Sequence, residues 1–239
     1  MENKQEIFAE YPRPQLKRDS YFNLNGNWIL NGNDILVPFP PESKAACYEG
    51  KIGKNLEYVK EFSLPEDFEK SLASNECKNR LILHFGAVDQ IATIFINDVF
   101  VGTHHGGYLP FYFDITDYLS GNNVHEIRLQ VKDTLNHKYP YGKQRKNRGG
   151  MWYTPVSGIW QTVYLESRSA TYLDYAHANP DVDASEVVYD LRVQSDASQT
   201  VTVFYDFESR LWDEEKSADV VTGSEFSGSQ EISLSVRKF

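Results

Sequence analysis

Between Asp133 and Glu166 the chain carries no acidic residue. The same stretch holds Lys138, Lys143, Arg145, Lys146 and Arg148, interleaved with Tyr139, Tyr141, Trp152 and Tyr153. In a chain of net charge −10 this is a local basic, aromatic loop. Aromatic rings offer apolar faces to the C–H side of a sugar ring, while Lys, Arg and Gln side chains donate to its hydroxyls. Tyr141, Lys143, Gln144, Arg145, Trp152 and Tyr153 are therefore the candidate carbohydrate-binding residues. The competing reading is a solvated loop, because charged residues lie mostly on the surface whatever they do.

Other chemistries have weaker support. His104 and His105 are adjacent, so on a strand their rings point to opposite faces and cannot share a metal. The remaining histidines are scattered, and no phosphate-cradling Gly loop or G-x-S-x-G turn occurs. Glycoside hydrolysis by a retaining mechanism needs two carboxylates about 5–5.5 Å apart. Glu214-Glu215 lies in an acidic, polar stretch with no sign of a shaped pocket. The sequence thus offers no catalytic residue, no metal site and no cofactor.

The elements that must hold this loop read as strands. An apolar run at 91–96 meets Asn97-Asp98, and a second apolar run follows at 99–101. Asn and Asp tolerate positive φ, so the pattern predicts a two-residue hairpin. Residues 124–131 alternate, with Ile127, Leu129 and Val131 on one face and Glu126, Arg128 and Gln130 on the other. Further strands are expected at 21–30, broken at Asn25-Gly26, and at 56–64, 80–85 and 158–166. The last is read as one strand with Trp160 in the core. Trp28 is expected to anchor that core. One short helix is expected at 66–73, and residues 1–20 should form an extended lead-in draped over the sandwich. Asp89, Asp114 and Asp133 sit beside turns and are read as acceptors for backbone N–H groups.

Composition sets the broad class. With 41% hydrophobic and 14% aromatic residues, 239 residues suffice for a substantial core. Residues 170–239 contain 14 acidic against 5 basic residues, so nearly all the net charge sits there and a boundary is expected near 168. An acidic chain argues against nucleic acid as partner. No apolar run is long enough to span a membrane, and the N-terminus has no secretory pattern, so a cytoplasmic location is the default. Two cysteines, Cys47 and Cys77, do not make a disulfide framework. Strand-like runs at 172–178, 187–193, 201–207 and 232–236 suggest an immunoglobulin-like sandwich. About 70 residues is short for that fold, so its incompleteness and a chain continuing past Phe239 are expected.

The segment 84–116 resembles the N-terminal sugar-binding domain of glycoside hydrolase family 2, which includes β-galactosidases, β-glucuronidases and β-mannosidases. The resemblance rests on Phe85-Gly86, Val88-Asp89, Ala92, Asn97, Val101-Gly102, His105-Gly106-Gly107-Tyr108, Pro110-Phe111 and Phe113-Asp114-Ile115-Thr116. Leu24-Asn25-Gly26 with Trp28 matches the family's opening, and Gly142-Lys143-Gln144 and Trp152-Tyr153-Thr154-Pro155 with 158–166 match one of its branches. The resemblance implies an all-β chain: a jelly-roll, galactose-binding-like β-sandwich over 1–167, then an incomplete immunoglobulin-like β-sandwich over 168–239. It implies that the two catalytic glutamates belong to a barrel domain of the same polypeptide that this chain lacks. It also implies that the loop 139–153 reaches toward the mouth of that barrel. Gly150 stands where well-known β-galactosidases carry a substrate-contacting Asp, so galactose specificity does not carry over. A basic rim would suit an acidic sugar such as a uronate. The alternatives are a free-standing carbohydrate-binding sandwich, and a sandwich serving assembly into a homo-oligomer.

Overall fold

The computed structural model describes residues 7–18, 20–73, 79–119, 123–147, 149–207, 210–213, 218–221 and 226–234. Twelve strands and one helix build the first sandwich: β1 (Phe22–Asn23), β2 (Gly26–Leu30), β3 (Asn33–Val37), β4 (Asn55–Phe62), α1 (Glu66–Ala73), β5 (Arg80–Phe85), β6 (Val88–Asp89), β7 (Ile91–Ile96), β8 (Val99–His105), β9 (Phe111–Asp114), β10 (His125–Lys132), β11 (Gly158–Ile159) and β12 (Val163–Arg168). A six-stranded sheet runs β3-β2-β4-β10-β7-β8 and a four-stranded sheet runs β1-β12-β5-β9. Every named pairing is antiparallel, and β6 with β11 forms a short separate ladder.

The period-two pattern places the core between these sheets. Ile127, Leu129 and Val131 are buried while Gln130 is exposed, as the alternation requires. They join Trp28, Tyr58, Ile94 and Ile96 from the same sheet and Leu81, Leu83, Phe85 and Leu165 from the other in one cluster. Trp28 is 1% exposed and satisfies its indole N–H on the Leu24 carbonyl at 2.8 Å. The turn between β7 and β8 has both Asn97 (φ 49°) and Asp98 (φ 65°) in the left-handed region, which is the two-residue hairpin geometry expected of Asn-Asp. Helix α1 spans 66–73 and buries Phe68.

The expected single strand at 158–166 is two strands. Gly158 has φ +73°, and residues 160–162 leave the ladder between β11 and β12. Gln161 is exposed as a result, and Trp160 is only partly buried. Its indole N–H reaches the Gly107 carbonyl at 2.8 Å, so Trp160 is not a core residue. A strict alternation over 158–166 had no way to register this break.

The lead-in lies across the four-stranded sheet. Asn23 and Asn25 donate to the Ile7 carbonyl, at 3.0 and 3.2 Å. Glu166 on β12 is fully buried and draws the strap down: Arg13 Nη2 lies 2.7 Å and His84 Nε2 2.8 Å from its Oε2, and Tyr11 donates to Oε1. Burial alone would raise the carboxyl pKa. The hydrogen bonds from His84 and Tyr11 and the charge of Arg13 outweigh it and bring it from 4.5 to about 2.

Beyond residue 168 the strands are β13 (Tyr172–Asp181), β14 (Glu186–Gln194), β15 (Gln199–Phe207), β16 (Arg210–Asp213), β17 (Ala218–Val221) and β18 (Phe226–Leu234). β13, β14, β15 and the end of β18 fall where strands were expected, whereas β16 and β17 were not expected; the six pair as three separate two-stranded ladders, β13-β14, β15-β18 and β16-β17. Side chains along β14 are mostly exposed, so closure into a sandwich is not among the described pairings. Cys47 is an exposed free thiol, whereas Cys77 and Glu214-Glu215 lie outside the described residues. Among the described residues, no helix is long and apolar enough to cross a membrane.

The folded-state pKa of Glu166 lies below its ordinary value, so its stabilisation is present above about 4.5 and lost as pH falls toward 2. Glu166→Gln is expected to cost about 2–4 kcal/mol at neutral pH, because Arg13 loses its buried counter-charge. Urea denaturation at pH 7 and pH 3 should show the deficit shrinking at the lower pH; an equal deficit at both would rule out the charge as its origin.

Candidate functional site

The loop between β10 and β11 carries the candidate residues, and hydrogen bonds fix it from within. The Tyr153 N–H donates to the Lys143 carbonyl at 2.7 Å, and the Arg145 N–H to the Tyr153 carbonyl at 3.1 Å. These close a small bridge that brings 143–145 beside Tyr153 although eight residues lie between. The Arg145 guanidinium stands 4.7 Å over the Trp152 ring, a cation–π pair. Tyr141 stacks on His137 at 4.2 Å, and Tyr139 shares a 3.0 Å hydrogen bond with His105 Nδ1. His104 instead stacks on Phe111 at 4.0 Å, so the adjacent histidines do face opposite ways.

The six candidates divide into two groups. Lys143, Arg145 and Tyr153 are exposed, with Tyr141 and Trp152 half-buried beside them. Gln144 is buried and its amide is committed to protein partners. Its Nε2 donates to the Tyr108 hydroxyl at 2.9 Å, and its Oε1 accepts from the Val156 N–H at 2.6 Å. Gln144 thus braces the loop, whereas it was expected as a ligand contact. A polar residue between two cations gives no signal in sequence that its side chain turns inward. Arg148 lies outside the described residues.

Two clefts of about 400 Å³ involve the loop or its partner Tyr108. One, on the outer face of the four-stranded sheet, is lined by Arg13, Tyr108, Tyr112 and Trp160 among others. The second, under the loop's ends, includes Glu42, Asp133, Lys146 and Ser157. Glu42 accepts from the Ser157 hydroxyl and N–H at 2.5 and 3.2 Å. Asp133 accepts from the Leu135 N–H at 2.6 Å, and Asp114 from the Thr116 N–H at 3.0 Å, as turn-side acids do. Burial pushes the Glu42 and Asp133 carboxyls up, with hydrogen bonds opposing it at both and the Lys146 charge also opposing it at Asp133. Asp89 is different: burial first and the Asp133 charge second push it up to about 7, against a hydrogen bond from Gln144. Sequence reasoning missed Glu42 and the exposed roles of Tyr108 and Trp160. Their place depends on contacts made across more than 35 residues of chain. Among the described residues, no three His, Cys, Asp or Glu side chains converge as metal ligands would.

Residues 46–178, more than half of the chain, match the family described as glycosyl hydrolase 2 galactose-binding domain-like. The chain belongs to the glycoside hydrolase family 2 galactose-binding-like domain family. It is 36% identical over 97 residues to a β-galactosidase of Thermoanaerobacter pseudethanolicus, a match covering 39% of this chain and 12% of that protein. It is 24% identical over 221 residues to a Capra hircus β-mannosidase, covering 72% of this chain and 24% of that protein. The chain therefore spans a quarter or less of these curated relatives. Among solved structures, a Bifidobacterium dentium β-glucuronidase complexed with coumarin-3-O-glucuronide shares the fold, with TM-score 0.59 at 18% identity over 91% of this chain and 43% of that chain.

Gln144→Ala should destabilise the chain by about 1–3 kcal/mol, since it strands the Val156 N–H and unties Tyr108. Lys143→Ala, one position away and exposed, should change stability by less than about 0.5 kcal/mol. Urea midpoints of the two variants give the comparison; equal values would mean Gln144 braces nothing.

Proposed function

We propose that this chain is the non-catalytic N-terminal region of a family 2 glycoside hydrolase, contributing carbohydrate binding and part of the active-site rim. The observation that carries this reading is the loop itself. The chain belongs to the family's galactose-binding-like domain, and within the loop backbone hydrogen bonds tie Lys143 and Arg145 to Tyr153 while the Arg145 guanidinium stacks on Trp152. Aromatic faces beside cationic donors suit a sugar ring with its hydroxyls, and pre-bracing reduces the ordering cost of binding.

The relatives are several times longer than the stretch they share with this chain. That supports hydrolysis by a barrel elsewhere in the polypeptide, where two carboxylates would act by double displacement. The substrate class is then a β-glycoside, and four cationic side chains between 138 and 146 favour an acidic sugar. The strands after 168 we read as the immunoglobulin-like segment that joins sandwich to barrel; the hairpin-like ladder β13-β14 and the strand spacing support this.

This chain alone should show no turnover of nitrophenyl β-glycosides. In the polypeptide that joins it to a barrel, Trp152→Ala combined with Lys143→Ala should raise KM about tenfold with kcat little changed, the pattern of lost uniform binding. Steady-state kinetics on nitrophenyl glucuronide, galactoside and mannoside decide it; unchanged KM on all three would remove the loop from the site.

A further inference from the structure

Asp89 does not behave as a turn-side acceptor. It ends β6, paired with Gly158 of β11, and is only 3% exposed. Its Oδ1 is buried with no hydrogen-bond partner among the described residues. The backbone of Gly107 closes over the carboxyl so tightly that a Cβ there would fall 2.6 to 3.0 Å from its atoms. The Asp89-Gln90 pair also anchors the loop at several points. Gln90 exchanges two hydrogen bonds with the backbone of Asn136, at 3.0 and 3.2 Å, and its carbonyl accepts the Gly106 N–H at 2.8 Å. The Asp89 carboxyl itself meets the Gln144 amide, whose other contacts are Tyr108 and Val156. Both ends of the loop, its middle and the 106–108 turn thus converge on these two residues.

The charges around Asp89 are unfavourable to its anion. Asp133, at the loop's start, and Glu42, from the segment after β3, both oppose its ionisation. The nearest cation in this set, Lys146, acts on Asp133. An ionised buried Asp89 would add its negative charge to the field of the half-buried Asp133 and Glu42.

We propose that Asp89 is the positioning residue of the 139–153 loop and that its proton controls the seat: the loop is held when Asp89 is neutral and loosened when it ionises. The functional weight of this switch rests on the reading of the loop as a sugar-site rim. The switch itself does not need that reading.

The sign follows from Asp89 binding its proton more tightly folded than unfolded. Stability from the neutral form is full below about 3.8 and falls as pH rises through about 7. Amide hydrogen exchange on the full chain from pH 5.5 to 8.5, corrected for intrinsic rates, reads the loop directly. Protection of 139–156 should fall several-fold with a midpoint near 7, while the β7-β10 core amides hold. Asp89→Asn, which keeps the shape and removes the titration, should flatten the curve. Asp133→Asn removes a like charge and should move the midpoint down by roughly half a pH unit. This second variant decides the matter if Asp89→Asn fails to fold. A pH-independent wild-type loop, an unchanged curve in Asp89→Asn, or an unmoved midpoint in Asp133→Asn would overturn the proposal. No sugar or activity enters the measurement, so its failure is separate from failure of the kinetic test.

Discussion

One core shared by two sheets is the constraint on which everything else depends. Strands of both sheets of the first sandwich turn an apolar face into the same volume. Fully burying a large apolar side chain contributes about 1.5–3 kcal/mol, and Trp28, Tyr58, Phe85, Leu83 and Ile94 are all buried there. The segment between β10 and β11 lies outside this core and is free to carry cations and exposed rings.

Two buried acids show how neighbours can reverse, or leave standing, what burial does to a charge. Glu166 and Asp89 are both almost fully withdrawn from solvent. Glu166 is met by Arg13, His84 and Tyr11 and is held at about 2. Asp89 has no cation against it: burial first, then the charges of Asp133 and Glu42, raise it to about 7. Desolvation pushes both the same way, so the opposite outcomes measure the partners. The first acid ties the lead-in to the sheet with a charge that persists at neutral pH. The second sits under a loop with a proton that neutral pH can remove.

Much of the sandwich was legible because period and turn chemistry are local. Asn97-Asp98 between two apolar runs specified the β7-β8 hairpin, and 66–73 specified the helix. The candidate loop was legible as a composition anomaly, since an acid-free basic stretch is conspicuous in an acidic chain. What escaped was set by distant contacts. The alternation across 158–166 hid a break that Gly158 and the 160–162 excursion create, and so misplaced Trp160. Gln144 and Asp89 look like surface residues in sequence because their partners, Tyr108, Val156 and Gly107, lie far along the chain or meet them through backbone. After 168 the strands were legible one by one, but alternation says nothing about which face finds a second sheet.

On the proposed reading of the loop as a rim, the same division lets one scaffold serve different sugars. The core fixes where β10 and β11 end, and therefore where the loop starts and stops. Within that span, the Gln144 brace and the Lys143–Tyr153 bridge fix the loop's path through backbone and one buried amide. Neither uses the exposed side chains. Lys143, Arg145 and Tyr153 can then change without cost to the fold, apart from the pairing of Arg145 with the half-buried Trp152. The resulting surface is positioned like a structural element while its outward chemistry stays independent of stability. That independence is what a rim must have if specificity is to vary on an unchanged scaffold.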